Sequence, residues 1–279
     1  MIRVHIVPIF IAVGGAIVVS LLAAAATPSF TLPWWIAATG WLAAISYLVA
    51  SNIMLVRGLN TRRVTRFGQA NVVTAVRSTL VGVISGIVVA SFFAPMPVWI
   101  VLALVVPTLL LDAVDGWVAR RTNSASELGS RFDMEVDAFL LLVLSAYVSQ
   151  TLGIWVLAIG LMRYAFVVAG WIFPWLRRPL PFRYWRKVVT AVQGIALTVA
   201  VTGLQPVVDA VFVATALALL IESFGRDVVW LLARRAAGSR CPPGAQRESR
   251  ADGEHKNTDV FDHEGLRNKG ETPRLGETK

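Results

Sequence analysis

Apolar runs long enough to cross a lipid bilayer recur along this chain, and they restrict its fold more than any other feature does. A helix needs about 20 mainly apolar residues to cross the hydrocarbon core, and its backbone groups must then be hydrogen-bonded within the segment. The sequence therefore predicts an all-α, polytopic membrane protein with about eight transmembrane helices. The eight runs lie at about residues 5–26, 33–53, 71–92, 97–118, 132–150, 153–173, 187–204 and 207–232.

The composition agrees with a membrane protein and argues against a nucleic-acid-binding one. Hydrophobic residues make up 56% of the 279 residues and charged residues only 15%, which is unlike a soluble domain. The formal net charge of +9 comes from basic residues in short clusters between apolar runs. Membrane topology and anionic lipid explain such clusters better than nucleic acid does. We therefore expect the lipid bilayer, and no nucleic acid, as a partner.

Basic residues alternate between the connections, which predicts the orientation of the chain in the membrane. The connections near 27–32, 93–97, 149–152 and 203–207 contain no Lys or Arg. The intervening segments hold Arg57, Arg62, Arg63 and Arg66, then Arg120, Arg121 and Arg131, then Arg177, Arg178, Arg183, Arg186 and Lys187, and finally Arg234 and Arg235. By the positive-inside rule, both termini lie in the cytoplasm. We expect a multi-pass protein of the cell membrane.

The two ends of the chain allow further predictions. Arg3, the apolar run after it and Ala23 to Ala26 also fit a cleaved signal peptide, but the run is long for one. Beyond residue 235 the sequence is polar and has no periodicity, so we expect a disordered cytoplasmic tail over 236–279. Cys241 is the single cysteine, so an intrachain disulfide is excluded.

Four aspartates lie between two of the most apolar stretches of the chain. Asp112 and Asp115 end the fourth run, and Asp133 and Asp137 begin the fifth. Each pair has i, i+3 or i, i+4 spacing, which places its members on one face of a helix. Because carboxylates near a bilayer are costly, such a group predicts a functional site. Oxygen ligands of this kind suit Mg²⁺ or Mn²⁺, and the charges place the site at the cytoplasmic face.

The stretch around these aspartates resembles the signature of the CDP-alcohol phosphatidyltransferases. The signature D-x2-D-G-x2-A-R-x8-G-x3-D-x3-D is present at every fixed position from Asp112 to Asp137. Members often open their first core helix with Pro-Asn-x-x-Thr-x-x-Arg, and this chain has Asn71, Thr74 and Arg77 at that spacing, with Ala70 replacing the proline. The resemblance implies a six-helix core over about 71–232. We therefore divide the chain into an N-terminal transmembrane hairpin (1–56), a CDP-alcohol phosphatidyltransferase domain (57–235) and the tail.

The resemblance also implies a reaction and a set of roles. The donor would be a CDP-linked lipid, typically CDP-diacylglycerol; a hydroxyl acceptor would attack the lipid-bearing phosphate, and CMP would leave. Asp112, Asp115, Asp133 and Asp137 would hold Mg²⁺ or Mn²⁺, and Asp137 would also be the catalytic base. The resemblance further implies a homodimer. Residues that would bind the nucleotide are Asp112, Asp115, Gly116, Ala119, Arg120, Gly129, Asn71 and Thr74.

The acceptor is expected to be a phosphorylated polyol, such as glycerol 3-phosphate or an inositol phosphate. Arg163 lies inside an apolar run, where an arginine usually faces a cavity or a partner, and Arg183 and Lys187 belong to a basic cluster. We expect these three residues to bind the acceptor, although topology alone also explains the cluster. Lys187, Thr190 and Gln193 recur at three-residue spacing and are predicted to share one face. Glycerol-phosphate enzymes often show a second lysine here, where this chain has Val189.

Several alternatives stay open at this point. The aspartates could be a salt-bridged loop with Arg120, Arg121 and Arg131, and Asn71, Thr74 and Arg77 could serve in helix capping and snorkelling. Glu135 lies outside the signature and is expected to pair with an arginine. Functions of other classes are a cation transporter with an intramembrane aspartate site and a scaffold that binds CDP-lipid without catalysis.

Overall fold

The computed structural model describes residues 33–62, 69–121, 127–177 and 184–238. These residues form seven α-helices and two short 3-10 helices, at Ile154–Val156 and Pro174–Arg177, and contain no strand. The predicted run at about 5–26 and the tail beyond Gly238 lie outside the described residues. The α-helices are α1 (Trp34–Arg62), α2 (Gln69–Ser91), α3 (Val98–Arg121), α4 (Glu127–Leu152), α5 (Leu157–Ile172), α6 (Tyr184–Thr202) and α7 (Pro206–Gly238).

The prediction of an all-helical membrane protein is confirmed for these residues. Four segments are long and apolar enough to cross a bilayer: Trp34–Leu55, Val73–Ser91, Ile154–Ile172 and Pro206–Arg234. A shorter apolar segment covers Val98–Asp112. Helix α4 instead begins with a charged stretch from Glu127 to Asp137. The chain is thus an integral membrane protein in which charged residues concentrate at particular helix ends.

Contacts at both ends of the helices establish their directions. Tyr47 of α1 contacts Ser78 of α2, and Trp35 of α1 contacts Phe93, just beyond the end of α2, so α1 and α2 are antiparallel. Arg77 near the start of α2 contacts Asp133 near the start of α4. Ser91 at the end of α2 accepts a 2.9 Å hydrogen bond from Gln150 near the end of α4. Helices α2 and α4 therefore run in the same direction.

The later helices continue this alternation. Glu135 near the start of α4 pairs with Arg163 of α5, and Leu142 of α4 lies beside Gly160 of α5. Trp185 at the start of α6 donates a 3.2 Å hydrogen bond to Glu222 in α7. Glycines at φ +99° (Gly153) and +60° (Gly203) follow α4 and α6, a conformation that glycine adopts without steric cost. The described helices thus form an up-and-down bundle.

Helix α2 lies at the centre of this arrangement. Its apolar and small side chains are mostly buried, among them Val81, Ile84 and Val88, and it packs against α1, α3 and α4. The short connection between Arg121 and Glu127 would allow α3 and α4 to pack directly against each other, but in the structure α2 is the main packing partner of α3. Sequential helices are neighbours only as a tendency, and here α2 packs against both α3 and α4.

Glycines allow the closest helix approaches in the bundle. A Cβ atom on Gly40 of α1 would lie 2.7 Å from the carbonyl oxygen of Gly86 in α2, and one on Gly160 of α5 would overlap the backbone of Leu142 in α4. Small residues at such crossings are typical of membrane helices, because dispersion contacts drive their association. Helix α1 is therefore packed tightly against α2.

The bundle belongs to a unit that ends at Gly225, and a second unit begins at Arg226 within the sequence of α7. In this second unit the guanidinium of Arg234 lies over the Trp230 ring, 4.4 Å from its centroid. That geometry is a cation–π contact.

Candidate active site

The site is built around one arginine from the central helix. Arg77 of α2 has no exposed side-chain surface, and burial of an unpaired charge would be prohibitive. Its Nη1 donates to Asp112 Oδ1 at 2.7 Å, and its Nη2 donates to Asp137 Oδ1 at 2.9 Å and to Asp133 Oδ1. The guanidinium provides several donors in one plane, so a single side chain joins α2, α3 and α4.

The three carboxylates form a compact group. One oxygen atom from each of Asp112, Asp133 and Asp137 lies within 4.8 Å of the others. Asp133 and Asp137 are one turn apart on α4, while Asp112 arrives from the last turns of α3. The carboxylates are 48%, 32% and 28% exposed, respectively, whereas Arg77 is wholly buried. They therefore contact arginine on their buried side and are accessible on the other.

The chemistry of this group suits a divalent cation. Its donors are carboxylate oxygens, the ligands that Mg²⁺ and Mn²⁺ prefer. Three carboxylates and one guanidinium leave two formal negative charges among these four side chains. A spacing below 4.8 Å lets small side-chain rotations bring the oxygens to metal–ligand distances of about 2.1 Å. The residues present thus fit the metal that the sequence predicts.

Other predicted site residues lie along the same helices. Helix α3 continues to Arg121 and so includes the positions of Asp115, Gly116, Ala119 and Arg120, but their side chains are outside the described part of the structure, as is that of Asn71 in α2. Thr74 is 3% exposed and lies one turn before Arg77. Gly129 lies one turn before Asp133 in α4 and is partly buried. Their nucleotide-binding roles stay predictions.

A second ion pair joins α4 to α5 on a different face of α4 from Asp133 and Asp137. Arg163 of α5 donates to Glu135 of α4, and both side chains are 35% exposed. The expectation that Glu135 pairs with an arginine is therefore confirmed. The pair explains how Arg163 is accommodated within an apolar helix, and its partial exposure leaves it accessible to a ligand.

The predicted common face of Lys187, Thr190 and Gln193 is wrong. Lys187 and Thr190 are exposed, whereas Gln193 is 2% exposed and lies in the buried stripe of α6 with Val189 and Leu197. Each step of three residues rotates about 60° away from a full turn, so two steps carry Gln193 about 120° from Lys187. Arg183 lies outside the described residues.

The structure also decides between interpretations of Arg77. A snorkelling arginine keeps its head group in water, but this one is enclosed and hydrogen-bonded to three aspartates. The alternative of a salt-bridged loop involved Arg120, Arg121 and Arg131, whereas the ion pairs described for the aspartates go to Arg77. The sequence left the role of Arg77 undecided and did not predict that it lies at the centre of the site. Its three-residue spacing from Thr74, on the same helix face, was the one indication that it belongs there.

Comparison with known proteins supports the resemblance noted from the sequence. Searches of curated proteins and of solved structures gave no match. A sequence profile described as CDP-alcohol phosphatidyltransferase matches residues 67–222, a range that includes Arg77 and all four aspartates of the signature and covers more than half of the chain. The chain therefore belongs to the CDP-alcohol phosphatidyltransferase family, a family of transferases.

Proposed function

We propose that this protein transfers a phosphatidyl group from CDP-diacylglycerol, or a related CDP-linked lipid, to a hydroxyl acceptor with release of CMP. The observation that carries the proposal is the group of Asp112, Asp133 and Asp137 around buried Arg77. This group lies inside the segment that matches the family. Its accessible carboxylates have the charge and donor atoms that phosphoryl-type transfer requires.

All four aspartates of the signature are assigned to the metal, and Asp137 is also assigned to proton transfer. Asp112, Asp115, Asp133 and Asp137 would hold Mg²⁺ or Mn²⁺, which supplies neutralisation of charge on the phosphate oxygens. Asp137 accepts the proton of the acceptor hydroxyl. The acceptor oxygen then bonds to the lipid-bearing phosphorus, the phosphoanhydride bond breaks, and CMP leaves with the bridging oxygen. Arg77 fixes Asp112, Asp133 and Asp137 relative to one another throughout this exchange.

The nucleotide and the acceptor are assigned to two separate groups of residues. The CMP moiety lies along Asn71, Thr74, Gly116, Ala119, Arg120 and Gly129. A phosphorylated polyol lies toward Arg163, with Arg183 and Lys187 as further cations for its phosphate. Partial exposure of Arg163 beside Glu135 supports this choice, because a paired arginine can keep its position while offering remaining donors to a phosphate.

The arrangement in the membrane follows from the charge pattern. We assign eight transmembrane helices, a six-helix core over about 71–232, and a site at the cytoplasmic face of the cell membrane. We assign a homodimer from membership of the family. Arg57, Arg131 and Lys187 all lie at the helix ends that carry the aspartate group, which supports a cytoplasmic position for that end.

The direct test measures CMP release by the purified full-length protein in detergent or proteoliposomes. CDP-diacylglycerol and Mn²⁺ are supplied with a panel of acceptors: glycerol 3-phosphate, inositol 1-phosphate, inositol, serine and glycerol. We expect CMP release that needs both metal and acceptor and is fastest with a phosphorylated polyol. Metal chelation should abolish it. Folded protein that releases no CMP with any acceptor would contradict the proposal, and so would Mn²⁺ flux without CMP release.

A further inference from the structure

Helix α1 lies outside the segment that matches the family, yet it contacts two of the helices that carry the aspartate group. The Tyr47 hydroxyl and Ser78 Oγ of α2 are 3.3 Å apart. Ser78 follows Arg77 directly in the sequence. The contact therefore joins α1 to the turn of α2 that presents the central guanidinium.

The Tyr47 ring makes a second contact, with α4. It stacks on Phe139 with the ring centroids 4.2 Å apart and an angle of 15° between the planes. Phe139 is two residues beyond Asp137. One side chain of α1 thus touches both helices at the level of the Arg77–Asp137 hydrogen bond.

Further polar contacts reinforce the junction between α1 and α2. Ser78 Oγ donates to Ser51 Oγ of α1 at 3.2 Å. Ser51, Asn52, Ser78 and Thr79 also line a small cavity of about 10 Å³ that extends to Phe132 of α4, the residue before Asp133. A single hydrogen bond between helices adds little stability in a membrane protein, so we expect this network to orient α1 and α2 more than to stabilise them.

We propose that α1 is part of the frame of the site and that Tyr47 is a positioning residue. Its hydroxyl fixes the Arg77 turn of α2, and its ring fixes α4 beyond Asp137. Arg77 thereby keeps its position relative to Asp133 and Asp137. Displacement of catalytic groups by about 1 Å can reduce a rate as much as 100-fold, so a small loss of orientation here has a measurable effect.

The test separates the hydroxyl of Tyr47 from its ring. Tyr47→Phe removes the hydroxyl and keeps the stacking on Phe139, while Ser78→Ala removes the partner hydroxyl. Tyr147→Phe is the matched control, because Tyr147 lies on α4 and packs against the apolar core. The full-length variants are compared for kcat and KM of CMP release, for Mn²⁺ affinity by electron paramagnetic resonance, and for thermal stability.

We expect Tyr47→Phe and Ser78→Ala each to lower kcat about tenfold while KM for CDP-diacylglycerol stays within about twofold, since misplacement affects the transition state more than ground-state binding. Mn²⁺ should bind several-fold more weakly to both variants. The double variant should be no worse than Ser78→Ala alone, because the Tyr47 hydroxyl acts through the Ser78 hydroxyl, which also donates to Ser51. Melting temperatures should match that of Tyr147→Phe, which should also keep wild-type kcat.

The proposal rests on the proposed function, but Mn²⁺ affinity tests it separately. If the wild-type protein binds Mn²⁺ and releases no CMP, the proposed function fails, and positioning by Tyr47 is decided by the Mn²⁺ affinities alone. Unchanged kcat and unchanged Mn²⁺ affinity in Tyr47→Phe would overturn the positioning proposal. A wild-type protein that neither binds Mn²⁺ nor releases CMP would overturn both.

Discussion

At the scale of single residues, Arg77 explains why three carboxylates can lie together near a bilayer. Unpaired, they would repel one another in a medium of low dielectric constant. The guanidinium offsets part of this repulsion and still leaves the outer side of each carboxylate accessible. The guanidinium of Arg77 also restricts how the three carboxylates can be arranged, because its donors lie in one plane, whereas those of a lysine ammonium can rotate.

Replacement of Arg77 should therefore destabilise the protein. Arg77→Met leaves three carboxylates without their counter-charge. Loss of one partner from a fully buried ion pair costs about 3–5 kcal/mol, and the partial exposure of these carboxylates lowers that cost. Arg77→Lys should recover only part of this, because an ammonium lacks the planar fork. Thermal unfolding in detergent measures both, with exposed Arg131→Met as the control. An Arg77→Met protein that melts at the wild-type temperature would contradict a structural role for this cation.

The catalytic base is tested by the smallest possible change. Asp137→Asn keeps the shape of the side chain and removes its ability to accept a proton, so CMP release should fall by at least about 100-fold, the lower range for loss of general-base catalysis. Binding of CDP-lipid and the melting temperature should change little. Glu222→Gln is the control for loss of a carboxylate outside the site, because Glu222 of α7 accepts a hydrogen bond from Trp185. Wild-type turnover by Asp137→Asn would refute the assignment.

The sequence predicts those parts of the site that depend on residues close together in the chain, but not the contacts between distant residues. The pairs Asp112 with Asp115 and Asp133 with Asp137 are local, so helical spacing places each pair on one face. The contacts of Arg77 with Asp112 and Asp137 span 35 and 60 residues of sequence. Spacing carries no information about such contacts, and Tyr47 was missed for the same reason.

At the scale of helices, hydropathy predicts that segments are helical but not how they pack. Lipid and leucine are equally apolar, so close packing in a membrane depends on small residues and interhelical hydrogen bonds. The central position of α2 and the burial of Gln193 are features of helix packing that hydropathy does not predict. The approach of α4 and α5 at Gly160 illustrates how one glycine can determine the distance between two helices.

A methyl group at Gly160 should consequently force these helices apart. Its Cβ would overlap the Leu142 backbone and lie 2.6 Å from Ser145 Oγ. Overpacking of this kind costs about 1–3 kcal/mol, and Gly160→Ala should lower the melting temperature accordingly. Gly225→Ala is the control, because a Cβ there meets no atom within 4 Å. Equal melting temperatures for the two variants would show that α4 and α5 can adjust without cost.

At the scale of the whole molecule, the alternation of helices and the distribution of charge agree. The described connections at 91–98, 150–157 and 202–206 contain no Lys or Arg, whereas Arg57, Arg131, Arg186 and Lys187 lie at the opposite helix ends. That opposite end also carries Arg77 and its three aspartates. The aspartate group and the basic residues thus lie at the same end of the bundle, and the enrichment of basic residues in cytoplasmic segments is the reason for the proposed cytoplasmic site.

Labelling of cysteines in sealed membrane vesicles of known orientation tests this assignment. Cys241 is the one cysteine of the sequence and should react with a membrane-impermeant maleimide only in inside-out vesicles. In a Cys241→Ser background, Leu204→Cys should react only in right-side-out vesicles, since Leu204 is 82% exposed between α6 and α7. The reverse pattern would place the aspartate group on the outer face, away from the cytoplasmic pool of cytidine nucleotides that the proposed donor requires. Reaction of both cysteines from one side would contradict the up-and-down bundle itself, because an odd number of crossings separates the two positions.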